Sequence, residues 1–255
     1  MIRQGTPVLN QISLKPALIA WVLGLVAFFL IIASVIGQLI MGPDLPSNVK
    51  TFINYFYVDY ELNFPTGFSS FLLLISALLL LVITILESNR SAPYVPKWAL
   101  LSFCFLCLST DEALQFHEKL IQPMRIFLGD SYLSHLGIFY WPWVIPGIVT
   151  VLIFAIYFSR FLLKLNLKSR LSFLIAAVLY VSGAIGFELI GARYVALHGE
   201  NLTYTTLITT VEEGMEMSGV IVFIWALLVY ISDNFMTVQI QFTNSLEQSL
   251  SDTKA

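Results

Sequence analysis

Six long runs of apolar residues alternate along this chain with short segments that are polar or contain proline and glycine. Each run is about 20 residues or longer, the length that an α-helix needs to cross the hydrocarbon core of a bilayer. Backbone polar groups in lipid must be satisfied within the segment, which favours helices over open strands. The sequence therefore predicts an all-α, polytopic integral membrane helix bundle with about six transmembrane helices. The predicted helices cover residues 16–41, 67–87, 97–118, 140–163, 171–196 and 205–231.

Composition agrees with a membrane protein. Hydrophobic residues make up 58% of the chain and charged residues only 11%, against about 25% charged residues in a typical soluble domain. The chain has no basic tract of the kind that binds nucleic acid. Its apolar composition instead predicts membrane lipids as partners. We expect a single transmembrane domain over residues 1–231. Residues 232–255 are polar and poor in apolar side chains, so we expect them to form a mobile cytoplasmic tail.

Positively charged residues divide unequally between the two ends of the predicted helices. Six spans place both termini on one side, and Lys and Arg on that side outnumber those on the other by nine to four. Because Lys and Arg are enriched in cytoplasmic loops, we expect both termini to be cytoplasmic. No targeting extension precedes the first run, which favours a prokaryotic inner (plasma) membrane. The aromatic residues then expected as a belt near the non-cytoplasmic face are Tyr57, Tyr60, Tyr132, Tyr140, Trp141 and Trp143.

Carboxylates follow the opposite distribution. Twelve of the 16 Asp and Glu residues fall toward the predicted non-cytoplasmic end, together with all three histidines, His117, His135 and His198. Asp and Glu contribute little to membrane orientation, so topology does not account for this asymmetry. The asymmetry therefore indicates a functional site at the non-cytoplasmic end, facing the periplasm or the cell exterior.

The third run carries a dense group of polar residues near its end. Asp111 and Glu112 lie inside the run, whereas His117 and Glu118 lie at its predicted boundary. At 100° per residue, Asp111, Gln115 and Glu118 share one face of a helix, and His117 points about 120° away from Asp111. We therefore expect His117 to join the same site only if the helix loosens near its end.

A polar stripe marks the first half of the sixth run. Thr205, Thr209, Glu212 and Glu216 repeat every three or four residues, and Glu213 flanks them. Glu213 and Glu216 form an i, i+3 pair whose carboxylates are able to bind one ion. The fifth run adds Glu188, and His198 follows it.

An ionised carboxylate at the centre of a bilayer costs at least about 2.5–3.5 kcal/mol, so these side chains need a counter-charge. A divalent metal ion is the most compact one. His with carboxylates suits Zn, Mn or Fe, whereas carboxylates alone suit Ca or Mg. We assign catalytic roles to Glu112 and Glu213. The predicted metal ligands are Asp111, His117, Glu118, Glu188, His198 and Glu216.

Three classes of function agree with such a site. The first is a metal-dependent membrane enzyme, a hydrolase or an oxidoreductase acting on a lipid-like substrate, in which a Glu side chain acts as base. The second is a cation or proton-coupled transporter or channel that uses the same acids, although the sixth run offers no ligand after Gly219. The third is a non-enzymatic membrane subunit.

Overall fold

The computed structural model describes residues 15–60, 62–129, 137–199 and 202–235, with the side chains of the last range described from residue 204. Regular structure within these ranges is helical. A π-helical turn, Ser182–Phe187, joins the helices Leu167–Val181 and Glu188–His198 without interruption. The helices are α1 (Pro16–Ile40), α2 (Ser47–Asn54), α3 (Phe64–Asn89), α4 (Val95–Leu114), α5 (Phe116–Lys119), α6 (Ile121–Leu128), α7 (Val144–Lys164), α8 (Leu167–Val181), α9 (Glu188–His198) and α10 (Leu202–Asn234).

Five helical stretches in the described part of the chain are long and apolar enough to cross a membrane. They are α1, α3, α7, the continuous stretch Leu167–His198 formed by α8 and α9, and α10. Helix α4 together with α5 and α6 passes the same test as a broken span, bent by 70°. The predicted all-α membrane bundle of about six spans is confirmed.

The third predicted helix, 97–118, ends earlier than the apolar pattern indicates. Helix α4 stops at Leu114, and Gln115 adopts a left-handed conformation with φ 55° and ψ 47°. Such a conformation is uncommon for a residue other than glycine. The cause lies in the Asp111 side chain, which accepts the backbone N–H of His117 and so competes with helical hydrogen bonding. The chain therefore turns into α5 and α6 at the end of the bundle.

The last predicted helix is longer than the sequence indicated. Helix α10 continues through Asn234, so the first residues of the predicted tail belong to this helix. Residues 236–255, which make up the rest of that tail, lie outside the described residues.

Helix α10 packs closely against the α8–α9 stretch because two glycines leave room for the facing chain. A Cβ atom on Gly219 would lie 2.6 Å from the backbone N of Tyr180 and 3.0 Å from the carbonyl O of Ala176. A Cβ on Gly183 would lie 2.8 Å from Cγ of Glu216. Small residues permit such approaches between membrane helices. The polar half of α10 is thereby held next to the π-helical turn.

An aromatic core fills the bundle at the end where α3 finishes and α4 begins. Trp98 is 2% exposed, and its ring lies 4.9 Å from the ring centroids of both Phe161 and Tyr230. Further toward the middle, Met217, Val220 and Ile224 of α10 are buried in a second apolar cluster. The bundle is thus packed with apolar side chains below its polar end.

Hydroxyl groups connect α3 to α4 at that polar end. The Oγ of Ser70 donates to the carbonyl O of Ser109 at 2.8 Å, and the Oγ of Ser109 donates to the carbonyl O of Ser70 at 2.8 Å. This reciprocal pair fixes the final turns of α4, which carry Asp111 and Glu112, beside the start of α3.

Candidate functional site

A cavity of about 700 Å³ lies at the end of the bundle where α4 and α9 finish and α7 and α10 begin. Its volume falls in the range of small-molecule sites. Among the described residues that line it, none is a Lys or an Arg. We call it the carboxylate cavity, after its lining residues Asp59, Asp111, Glu112, Glu118, Glu188, Glu212, Glu213 and Glu216.

A histidine held by a carboxylate forms part of the cavity wall. The Nδ1 atom of His117 lies 2.8 Å from Oδ2 of Asp111, and the backbone N–H of His117 donates to Oδ1 of the same carboxylate at 2.9 Å. His117 therefore joins the same site as Asp111, because the helix breaks at Gln115, as the sequence analysis required. An ionised Asp111 selects the tautomer with hydrogen on Nδ1 and leaves Nε2 as an acceptor.

Trp143 connects this pair to the opposite wall. Its ring centroid lies 4.7 Å from that of His117, and its indole N–H donates to Oε1 of Glu188 at 2.7 Å. Glu188 in turn shares a hydrogen bond with the carboxyl group of Glu212. A hydrogen bond between two carboxyl groups requires that one of them carries a proton. Sequence reasoning assigned Trp143 to an interfacial belt, but its indole N–H points to a carboxylate of the cavity.

The predicted pair of carboxylates on α10 also faces the cavity. Glu213 and Glu216 both line it, and both interact electrostatically with Glu112 of α4. Glu216 also interacts electrostatically with Glu212 and Glu188. Carboxylates from three separate helices therefore face one space.

The connection between α2 and α3 supplies a further carboxylate, Asp59, which we had not assigned to the site. The Tyr57 hydroxyl lies 3.0 Å from Oγ1 of Thr206 and also hydrogen-bonds to Asp59. The backbone N–H of Val58 donates to Oγ of Ser34 at 3.1 Å. Burial, with the nearby Asp59 charge, raises the pKa of Tyr57 to about 12. These contacts hold Asp59 at the cavity.

His198 is the assigned ligand that the structure does not bring to the cavity. Its Nδ1 lies 3.3 Å from the carbonyl O of Tyr194, and its ring stacks on the Tyr194 ring at 4.8 Å. These contacts are local to α9. His135 and Tyr132 lie outside the described residues. The assigned residues that do line the cavity are Asp111, Glu112, His117, Glu118, Glu188, Glu213 and Glu216.

The arrangement of these side chains bears on the predicted metal ion. Over residues 15–60, 62–129, 137–199 and 202–235, no group of three or more His, Cys, Asp and Glu side chains is arranged to hold one ion. The assigned residues share a cavity without forming a common coordination sphere. The divalent metal ion therefore stays a prediction. Nε2 of Gln115 is also buried at this wall, and no hydrogen-bond partner for it lies among the described residues.

Comparison with known proteins places the chain in one family. Neither the curated proteins nor the solved structures gave a significant match. The family described as "Domain of unknown function (DUF8692)" matches residues 18–231, a range that includes every residue lining the carboxylate cavity. The chain therefore belongs to this family.

Proposed function

We propose that this chain is an integral membrane enzyme that performs acid–base chemistry on the polar group of a lipid-like substrate held in the carboxylate cavity. The observation that carries the proposal is the Asp111–His117 pair on the cavity wall. A carboxylate on Nδ1 fixes the ring and makes Nε2 a better base, as in other oriented histidines. Hydrolysis, with water as the nucleophile, is the reaction class that such a base supports.

A lipid-like substrate is supported by the apolar side chains around the pair. Phe116 and Leu120 flank His117 and are 51% and 45% exposed, and Leu120 also lines the cavity. On α6, Ile126 and Phe127 are more than 80% exposed. In a bilayer these side chains contact lipid. A substrate chain therefore has an apolar surface next to the cavity that receives its polar group.

The opposite wall supplies a proton donor in this proposal. Nε2 of His117 takes a proton from water as the water oxygen forms a bond to the substrate carbonyl carbon. The bond from that carbon to the leaving group then breaks. The shared proton of Glu188 and Glu212 protonates the leaving group, and the proton held by His117 later returns to this pair. Trp143 keeps Glu188 in place through its indole N–H.

The metal-dependent form of this enzyme, predicted from the sequence, is a variant of the same proposal. Zn, Mn or Fe would bind through His117 with carboxylates such as Asp111 and Glu118, and Ca or Mg through carboxylates alone. Glu112 or Glu213 would then act as the base. The hydrolysis proposed for His117, Glu188 and Glu212 uses water and these side chains, and it requires no metal ion.

Lipid turnover by purified protein tests the proposal. The protein is incubated with a total membrane lipid extract, and consumed and formed lipids are identified by mass spectrometry. We expect His117→Gln to lower the rate by about 10²–10⁴-fold, the usual contribution of a general base. His198→Gln is the matched control, because His198 lies outside the cavity. Equal turnover by wild type and His117→Gln would overturn the proposal.

A cation transporter that uses the same acids is the alternative. Within the described residues the polar half of α10 is followed by Met217, Val220 and Ile224, which are buried. A transporter needs a second conformation in which an ion can pass these three side chains. Flux of divalent cations into proteoliposomes, lost in the Glu216→Gln variant, would favour this function. A non-enzymatic subunit would instead be recovered only within a larger complex and without turnover.

The side of the membrane is also part of the proposal. The excess of Lys and Arg near the termini supports a cytoplasmic location for both termini and a periplasmic cavity in a prokaryotic inner membrane. A C-terminal fusion to green fluorescent protein, which fluoresces in the cytoplasm, is expected to be bright. The matched fusion to alkaline phosphatase is expected to be inactive, and the reverse pair of results would place the cavity on the cytoplasmic side.

A further inference from the structure

We infer that the carboxylate cavity selects a substrate that carries an organic cation, an amine or a quaternary ammonium group. Trp141, Trp143, Glu188 and Glu212 would hold this group. The inference rests on the proposed function, since it names the class of substrate that the enzyme would accept.

The charges that face the cavity exclude one class of ligand. The described part of the lining contains eight carboxyl groups, one histidine and no Lys or Arg. Glu213 interacts electrostatically with Glu112, Asp59 and Glu188, all of which are acids. A phosphate or carboxylate ligand would meet like charges in a low-dielectric space, which is unfavourable. A ligand with a positive charge would supply the missing counter-charge.

The aromatic walls favour an organic cation. Trp141 and Trp143 both line the cavity, and glycines leave space for their rings. A Cβ atom on Gly191 would lie 3.2 Å from Cζ3 of Trp141, and one on Gly147 would lie 3.4 Å from Cζ3 of Trp143. Tryptophan is the best partner for a cation on its ring face, and cages of aromatic residues recognise quaternary ammonium groups. A carboxylate beside the ring adds the attraction of an opposite charge. Because its N–H is bonded to Glu188, Trp143 combines both kinds of contact.

Size separates an organic cation from an inorganic one. The cavity volume of about 700 Å³ far exceeds the roughly 30 Å³ that one water molecule occupies in the liquid. No three metal-ligating side chains in the described part of the chain surround one point. A cationic group of several atoms therefore fits this space better than a single ion. The exposed Phe116 and Leu120 beside the cavity favour a cation joined to an alkyl chain.

Isothermal titration of the purified protein in a nonionic detergent tests the inference. The probes are dodecyltrimethylammonium and dodecanoate, which share a chain length, and tetramethylammonium, which lacks the chain. We expect dodecyltrimethylammonium to bind at least about tenfold more tightly than dodecanoate. Equal binding of tetramethylammonium would identify a free organic cation as the ligand. Equal or tighter binding of dodecanoate would overturn the inference.

Variants show whether the named side chains bind the cation. Glu212→Gln and Trp143→Leu are each expected to lower the affinity for dodecyltrimethylammonium by about tenfold, which corresponds to one strong charge or ring contact. If those variants fail to fold, Glu188→Gln, which keeps the side-chain shape, and Trp143→Phe, which keeps an aromatic ring, take their place. Unchanged affinity in these folded variants would also overturn the inference.

A further variant separates this inference from the proposed function. His117→Gln is expected to bind the cation as wild type does while losing turnover. Cation binding without turnover of any lipid by wild type would overturn the proposed function and leave the binding site. Turnover of neutral or anionic lipids without cation binding would overturn the inference alone.

Discussion

Both carboxylate oxygens of Asp111 bind His117, one through the imidazole Nδ1 at 2.8 Å and the other through the backbone N–H at 2.9 Å. The two residues lie on opposite sides of the left-handed Gln115, so the contact spans the break between α4 and α5. A single side chain therefore orients a histidine and also satisfies an N–H group that the helix break would leave unpaired.

Substitutions at Asp111 should separate these two roles. Asp111→Ala removes both contacts, and we expect it to destabilise the protein by about 1–2 kcal/mol, the cost of a lost cap. Asp111→Asn keeps a carbonyl oxygen for the backbone N–H, so its stability should stay close to wild type. Its turnover should still fall, because a neutral amide stabilises a protonated His117 poorly. Thermal unfolding in detergent and lipid turnover measure the two effects, and equal stability of both variants would contradict the capping role.

Gly219→Ala tests the close packing that holds the polar half of α10 at the cavity. The added methyl group would lie 2.6 Å from the backbone N of Tyr180, which cannot move as a side chain does. We expect a loss of about 1–3 kcal/mol in unfolding free energy from overpacking. Gly24→Ala on α1 is the control, since no described residue of another helix has an atom within 4 Å of its Cβ position. This control should be neutral or stabilising, because alanine favours helix. An unchanged Gly219→Ala protein would show that α8 and α10 separate at little cost.

The spans and most of the site were predictable because lipid leaves few alternatives. Apolar runs of sufficient length must form helices, and acids inside such runs must face the interior of the bundle. Glu188, Glu213 and Glu216 line the cavity for this reason. The reciprocal hydroxyl bonds between α3 and α4 then bring Asp111 and Glu112 to the same end.

Other features depended on contacts that periodicity does not encode. No proline or glycine marks the break at Gln115, and the available signal was the Asp side chain six residues before His117. Tryptophan is typical of membrane interfaces, and only the folded structure reveals that the indole N–H of Trp143 donates to Glu188. His198 follows the same polar pattern as the cavity residues, yet a local stack on Tyr194 determines its position.

Tyr57 should make stability depend on pH in the alkaline range. Burial raises its pKa from 10.0 to about 12 in the folded protein. A group whose pKa is raised by folding contributes stability that is present below the unfolded-state pKa and is lost as pH rises through the folded-state value. The Tm difference between wild type and Tyr57→Phe should therefore shrink as pH rises from below 10 to 12. A difference that is constant over this range would contradict a buried, protonated Tyr57.

Removal of divalent ions distinguishes the two forms of the proposed enzyme. If Asp111 and His117 suffice as the base, turnover should persist after dialysis against a chelator, because no step passes through an ion. The assigned carboxylates line one cavity, and over the described residues they form no group of three or more that could hold a metal ion. Elemental analysis of the purified protein gives an independent measurement. A stoichiometric ion in wild type that is lost in Glu112→Ala and Glu213→Ala, but kept in His198→Ala, would instead support the metal-dependent form. In that case the carboxylates would have to converge on the ion when it binds, and Glu112 or Glu213 would replace His117 as the base.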